Sequence, residues 1–355
     1  VEGVPTAANA DYYARVVRDR AVLRGLIVAA TEIVQDGFDA GDEAAVEVLG
    51  RATRRLADLE RPSVPPGQGP TADAPQAIDA VLADAERRFT LGVQPGLMTG
   101  YHLLDEALGG LRAGNLSILA ATTGAGKTTM ACSVAAALAR AGRVVLYVSG
   151  EMPWAELMER FACAEAGVPL TRFRASNLGP DDWERLRAAR ETVQGWRLRM
   201  IGRALRVTEI AAALRRYRMD LRESVDLLVV DYLQKMRGNG RSKSRYEEVS
   251  GISGELKMLA LDAGIPVLAL AQLRRDVGQQ KRRPELHDLK ESGDLENDAD
   301  HVLLLHNPGQ GQRGAGDFRL WLRLAKNRSG PQTCWPDEGA QGGIELSWWP
   351  SVTRI

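Results

Sequence analysis

Apolar positions recur with two different periods along this chain, and the change of period divides it. From residue 9 to 35 they follow a helical spacing, with Val16, Leu23 and Ala30 on one stripe and Leu26 and Ile33 beside it. After a break at Gly37–Gly41, a second helix is expected over 42–60, burying Ala45, Leu49, Ala52, Leu56 and Leu59 on one face. Two such helices with a short connection predict an antiparallel hairpin. The segment 61–75, RPSVPPGQGPTADAP, is rich in Pro and Gly without a period and reads as a linker. A short helix is expected over 75–89, with Ile78, Leu82, Ala85 and Phe89 on one side. Isolated in a linker, that stripe must cover either the domain that follows it or a neighbouring subunit.

Beyond residue 96 the pattern becomes short apolar runs alternating with helices. Strands are expected at 116–120, 144–149, 198–201, 226–231, 266–272 and 301–306, with later ones around 317–325 and 343–349. The central runs are almost wholly apolar, as parallel strands covered on both faces should be. A helix over 245–263 opens on the capping box Ser244-Arg-Tyr-Glu247 and stops at Gly264. The reading is an α/β fold with a mostly parallel central sheet, preceded by an α-helical hairpin and a linker helix. Its pieces are a hairpin at 1–60, a linker at 61–95 carrying the helix 75–89, and the α/β domain at 96–355.

Composition narrows the function classes. No apolar run approaches the about 20 residues needed to span a bilayer, and the start lacks the basic-then-apolar pattern of a signal peptide. Cys132, Cys163 and Cys334 stand far apart with no CxxC pair, which argues against a cysteine zinc site or a disulfide framework and fits a reducing cytoplasm. The 46 basic and 46 acidic residues cancel, so any nucleic-acid contact must come from local basic patches. The chain opens on Val1, not Met, which leaves room for a longer, trimmed parent.

The chemistry concentrates around ATTGAGKT at 121–128, directly after the first strand and opening a helix. This is P-loop spacing, with Ala121 where the pattern usually begins with Gly. Glycines there let backbone N–H groups turn inward around phosphates, and the helix N-terminus adds positive partial charge. The cradle comprises Thr123, Gly124, Ala125, Gly126, Lys127, Thr128 and Thr129, with Lys127 for the β/γ-phosphates and Thr128 for Mg²⁺. The alternative is a helix start using glycines for close packing. Asp231 ends an apolar strand where it would hold Mg²⁺ through its hydration shell, and Glu151 follows another strand where it would orient the attacking water. Either could instead be an acidic strand-end residue capping the next helix. Gln272, also at a strand end, could sense a γ-phosphate.

Several further segments carry a family resemblance. GLMTGYHLLDEALGGLRAGNLSILAA before the P-loop, SGEMP (149–153), NLGPDDWERL (177–186), LLVVDYLQ (227–234), AQL (271–273), RPELHDLKESGDLENDAD (283–300) and AKNRSGP (325–331) resemble the bacterial replicative helicases of the DnaB type. NADYYARVVRDRAVLRGLIVAATEI looks like that family's helical hairpin. The resemblance implies a RecA-like, ATP- and Mg²⁺-dependent helicase motor. It makes Glu151 the catalytic glutamate, Asp231 the metal-side aspartate and Gln272 the γ-phosphate sensor. Lys326 and Arg328, in KNR, resemble the lysine and arginine finger given to the neighbouring subunit's ATP. It further implies a homohexameric ring around single-stranded DNA, 5′→3′ movement at the replication fork, docking of helix 75–89 on a neighbour, and a loader and primase as partners. The place of action would be the bacterial nucleoid or a phage-infected bacterial cell. Two departures stand out: the P-loop lacks the family's usual Pro and Met, and no counterpart of the globular N-terminal domain precedes the hairpin, so the collar and primase-binding roles of that domain are not assigned.

Two basic segments follow the strands that carry the chemistry. RGNGRSKSR (237–245) offers Arg237, Arg241 and Lys243, and RRDVGQQKRR (274–283) offers Lys281, Arg282 and Arg283. In a ring these would face the channel and neutralise phosphates without reading sequence. Tyr246 is the one aromatic nearby, so backbone tracking is favoured over base stacking. The alternative is a pair of solvated loops. Among other functions, a strand-exchange recombinase or a KaiC-like ATPase shares the P-loop but not the hairpin, linker helix and KNR motif. A non-enzymatic ring scaffold would not need Glu151.

Overall fold

The computed structural model describes residues 10–41, 45–60, 73–92, 95–220, 222–238, 245–274, 277–278, 280, 282–289, 295–308, 319–336 and 343–347. Its contacts divide the chain into two compact units, Val1–Gly92 and Val93–Ile355. The first holds α1 (Ala10–Phe38), α2 (Ala45–Glu60) and α3 (Ala74–Leu91). Helices α1 and α2 pack on each other, and the predicted stripes are covered only in part. Leu23, Leu26, Leu49 and Leu56 are exposed, as are Ala30 and Ala45, whereas Ala29 is buried and Gly25, Ile33 and Ala52 are half-buried. Among the described residues the covered side includes Ala29 and, in part, Gly25, Ile33 and Ala52. Charges flank that seam: Arg55 pairs with Asp36 and with Glu32 at 3.2 Å, and Arg51 lies 3.6 Å from Asp36. The side chains of Val16 and Leu59 lie outside the described residues. Helix α3 begins with Pro75 in its first turn and ends on Gly92 at φ 61°, a left-handed cap. Its Ile78, Leu82 and Phe89 are exposed.

The second unit is built on eight strands: β1 (Leu116–Ala121), β2 (Val145–Ser149), β3 (Leu198–Ile201), β4 (Leu227–Asp231), β5 (Val267–Gln272), β6 (His301–His306), β7 (Arg319–Asn327) and β8 (Ile344–Ser347). They form one sheet in the order β3-β2-β4-β5-β1-β6-β7-β8. The first six run parallel, and β7 and β8 are antiparallel. The central strands bury every residue on both faces, apart from half-exposed ends at Gln272 and His306, which is why their sequence shows no alternation. On one face Leu119, Val145, Val229 and Leu270 pack with residues of α4 (His102–Leu108), α5 (Lys127–Arg140) and α6 (Trp154–Ala166). On the other, Ile118, Val148, Val230 and Ala269 pack with α9 (Val207–Asp220) and α10 (Arg245–Ala263). Each buried Leu or Val contributes about 1.5–3 kcal/mol of transfer free energy. Helices α7 (Leu170–Arg174) and α8 (Pro180–Gln194) follow α6, and the short α11 (Leu295–Asp298) precedes β6. Ser244 of the expected capping box lies outside the described residues, but α10 stops before Gly264 at φ 63° as expected.

At the amino edge of the sheet, β1 and β6 are tied by polar groups. Asp300 accepts the Leu116 N–H at 2.8 Å and the Lys257 ammonium at 2.6 Å. Beside it His301, fully buried, meets the Ser117 hydroxyl at 3.0 Å through Nδ1. Burial pushes the His301 imidazole down to about 4, so it stays neutral in the fold. The unfolded chain binds a proton at about 6.5. Stability present above that pH is therefore lost as the pH falls from there towards the folded value. Replacing His301 with Asn, which keeps a hydrogen bonder for Ser117, should remove about 2 kcal/mol of the destabilisation between pH 7 and pH 5. Denaturant melts of both proteins at the two pH values measure this; equal pH sensitivity would rule it out.

Candidate active site

The carboxyl ends of the parallel strands come together at one edge, and the loops leaving them carry the candidate chemistry. The loop after β1 turns into α5 through Gly124 at φ 78° and Gly126 at φ 99°. Both are left-handed conformations that side chains with a Cβ rarely adopt. The first residues of α5 are Lys127 and Thr128, half-buried, and Thr129, buried. Ala125 is fully buried, whereas Thr123 and Gly124 are exposed. The α5 N-terminus thus supplies free N–H groups and a positive dipole end where a phosphate chain would lie. Ala121 belongs to β1 itself and pairs with Gln272 of β5, so the first position of the motif serves the strand.

Lys127 is held over the Tyr232 ring, its Nζ 4.6 Å from the centroid. Burial pulls its ammonium below the usual lysine value, and the charges of Asp231 and Glu151 pull it back up. The cation therefore sits partly desolvated with two carboxylates near it, a position that a nucleotide's phosphates would relieve. Asp231, at the end of β4, is 1% exposed. The Tyr147 hydroxyl donates to its Oδ2 at 2.9 Å, a bond to an ionised group that is typically worth about 1.5–3 kcal/mol. Burial pushes the Asp231 carboxyl above its ordinary value, while Tyr147, Lys127 and Thr128 act against that. Its Oδ1 is buried without a hydrogen bond, although the Thr128 hydroxyl neighbours the carboxylate. A buried anionic oxygen left open beside a threonine hydroxyl and a phosphate cradle fits Mg²⁺, which is usually held by one or two carboxylates plus phosphates and waters. Among the described residues no group of three or more His, Cys, Asp or Glu could hold a metal by itself.

Glu151 is exposed in the loop after β2, pinned by the Gly150 N–H to the Asp231 carbonyl at 2.7 Å and the Met152 N–H to Ser149 Oγ at 2.9 Å. Gln272 ends β5 and donates through Nε2 to Thr123 Oγ1 at 2.7 Å, so the candidate sensor already touches the phosphate loop. Sequence reasoning missed the residue that fixes it. Gln234 donates to the Gln272 carbonyl at 3.0 Å and accepts the Gln272 N–H at 3.1 Å. Sequence reasoning also missed Tyr147 and Tyr232. A polar ring inside the run VVLYVS was the available signal for Tyr147, because a buried hydroxyl needs a partner.

Lys326 and Arg328 are not part of this cluster. Lys326 pairs in register with Val302 of β6, which pairs with Ile118 of β1. The Arg328 N–H bonds the Asp300 carbonyl at 3.0 Å, and Asp300 donates its own N–H to Leu116. Both cations therefore stand at the amino edge. From Leu116 to Ala121 the strand covers roughly 16 Å before the phosphate loop begins. The Arg328 guanidinium reaches Asp300 Oδ1 at 3.3 Å and the Asn297 carbonyl at 2.5 Å, and Lys326 bonds the Glu296 carbonyl.

Of the basic candidates, Arg237 is exposed and its N–H bonds the Leu205 carbonyl at 3.1 Å. Arg241, Lys243 and Lys281 lie outside the described residues, as does the side chain of Tyr246. Arg282 forms two bonds with the buried Asp288 carboxylate, at 2.5 and 2.7 Å. Arg283 stacks over Trp321, 5.4 Å from the ring centroid.

Residues 96–336 match the family described as DnaB-like helicase C terminal domain. The replicative DNA helicase DnaB of Geobacillus stearothermophilus is 35% identical over 340 residues, 93% of this chain and 73% of that protein. The replicative DNA helicase DnaC of Bacillus subtilis is 35% identical over 92% of this chain and 72% of its own length. Among solved structures, one isolated ATPase domain superposes with a TM-score of 0.70 at 26% identity, covering 78% of this chain and 97% of that one. A structure of a DnaB-like replicative helicase and its interactions with primase superposes at 0.75 and 24% identity, covering 99% of this chain and 80% of the other, a likeness of fold. With the family matched across most of the α/β unit and relatives matched over nearly the whole sequence, this chain belongs to the DnaB-like replicative DNA helicases.

Proposed function

We propose that this helicase is an ATP- and Mg²⁺-dependent ring motor, a homohexamer that moves 5′→3′ along single-stranded DNA at the replication fork. The observation that carries the reading is the division of the charged groups between the two edges of the sheet. Lys127, Thr128, Asp231, Glu151 and Gln272 gather at the carboxyl edge, whereas Arg328 is bonded to Asp300 at the amino edge. An arginine held there serves a nucleotide on another copy far better than its own, which supports a composite site between subunits. In that site the P-loop N–H groups and Lys127 would cradle the phosphates, Thr128 and Asp231 would hold the Mg²⁺ shell, Glu151 would orient the attacking water and Gln272 would report the γ-phosphate to Gln234. Bound Mg²⁺ would neutralise charge on the β- and γ-oxygens. The domains read as a hairpin at 1–60, a linker at 61–95 and the motor at 96–355. The exposed stripe of α3 supports docking on a neighbouring motor, and the exposed leucines of the hairpin support contacts with other copies. Primase and a loader are the expected partners, in the bacterial cytoplasm or a phage-infected cell.

Three outcomes test this reading. Lys127→Ala should lose both nucleotide affinity and turnover, whereas Glu151→Gln should bind normally and lose about 10²–10⁴ in kcat. Normal hydrolysis in the Gln variant would move the water-orienting role elsewhere. Arg328→Ala should bind ATP and assemble but fall about 10³–10⁵ in kcat. Mixed with Lys127→Ala in equal amounts, it should regain ATPase because about a quarter of the interfaces join an intact P-loop to an intact finger. Mixed rings that form and stay dead would place Arg328 in cis or outside the chemistry. For DNA, Arg237, Arg241, Lys243 and Lys281 are the groups to remove, since losing Arg282 would strand the buried Asp288. For every phosphate that is no longer neutralised, the slope of log K against log salt should fall by roughly 0.7. An unchanged slope at unchanged affinity would return both segments to solvated loops.

A further inference from the structure

Tyr147 is a polar residue in the middle of an apolar strand, fully buried between β3 and β4. Its ring is fixed on one side by an edge-to-face contact with Phe161 at 6.3 Å and 89°, and Phe161 is fixed in turn by Trp196 at 6.0 Å and 85°. Its hydroxyl accepts from Cys132 Sγ at 3.9 Å and donates its one proton to Asp231 Oδ2 at 2.9 Å. A phenol with a single proton and a buried carboxylate within reach has one stable arrangement. Donation to Oδ2 sets the side-chain rotation of Asp231, and the second oxygen, Oδ1, is buried without a hydrogen bond of its own on a carboxylate that the Thr128 hydroxyl also stabilises.

We infer that Tyr147 is a positioning residue for Mg²⁺: by holding Oδ2 it presents Oδ1 of Asp231 to the nucleotide's metal. The inference rests on reading Asp231 as the metal-side carboxylate. Groups that orient a metal-side ligand from behind commonly contribute 10–100-fold to metal affinity. The effect of Tyr147 should therefore appear only when the metal is present and only while Asp231 keeps its charge. A role confined to packing would lower stability without regard to the metal.

The test titrates the full chain with a fluorescent non-hydrolysable ATP analogue, in EDTA and in Mg²⁺, for wild type, Tyr147→Phe, Asp231→Asn and the double variant. Tyr147→Phe should bind as wild type in EDTA and lose roughly tenfold or more of the affinity that Mg²⁺ adds. In the Asp231→Asn background the same change should add no further loss, because the two residues act as one unit. If Asp231→Asn leaves the Mg²⁺ gain intact, the metal-side reading of Asp231 fails and Tyr147 falls with it. If Asp231→Asn removes the gain while Tyr147→Phe keeps it, the metal-side reading stands and the positioning role is overturned. Equal losses in both backgrounds overturn it as well.

Discussion

A carboxylate taken out of water must find partners or give up its charge, and two of the buried carboxylates of this α/β unit stand at the edges that matter for the site. Asp231 closes β4 at the carboxyl edge and Asp300 precedes β6 at the amino edge, 1% and 6% exposed. Desolvating an isolated ion in a protein interior costs several kcal/mol, so the groups around each are determined by that cost. At Asp231 Oδ2 takes the Tyr147 hydroxyl, Thr128 and Lys127 favour the charge, and Oδ1 keeps no hydrogen bond. At Asp300 they are the Leu116 N–H, Lys257 and Arg328. The first set faces the phosphate cradle, and the second joins the strand that feeds the cradle to the candidate finger.

That arrangement gives a mechanical route between the two edges. Strand β1 begins at the Leu116 N–H bonded to Asp300 and ends in the loop that opens α5. Arg328 shares the same carboxylate, so the candidate finger and the base of the strand carrying the P-loop have one anchor in common. A second route joins neighbouring loops at the carboxyl edge. Gln234 grips the backbone of Gln272, and Gln272 grips Thr123. The basic segment that follows Gln234 is thereby linked by two side chains to the phosphate loop. Both routes are made of short polar contacts at strand ends.

The hairpin unit follows a different logic. Among its described residues it covers Ala29 and partly covers Gly25, Ile33 and Ala52, while Leu23, Leu26, Leu49 and Leu56 are exposed. Together with the exposed stripe of α3, this unit carries much apolar surface that its own fold does not cover.

The order of elements was legible from sequence because it depends on local periodicity. Six strands lie within a residue of their expected ends, and α10 stops where Gly264 permits a left-handed turn. The P-loop was legible for the same reason, since its glycines, lysine and threonine act within one turn. What periodicity could not settle was which side of an amphipathic helix is covered: the stripe through Leu23 and Leu49 was the natural choice, and the fold covers Ala29 instead. Nor could it pair residues distant in the chain. The bond from Tyr147 to Asp231 spans 84 positions and that from Arg328 to Asp300 spans 28. Arg282 read as a candidate phosphate contact, and nothing local in the sequence announced its bonds to Asp288. Sequence determined which chemical groups are present and which local segments they occupy. Tertiary structure alone decided which buried charge meets which partner, because desolvation acts on neighbours in space and leaves no period along the chain.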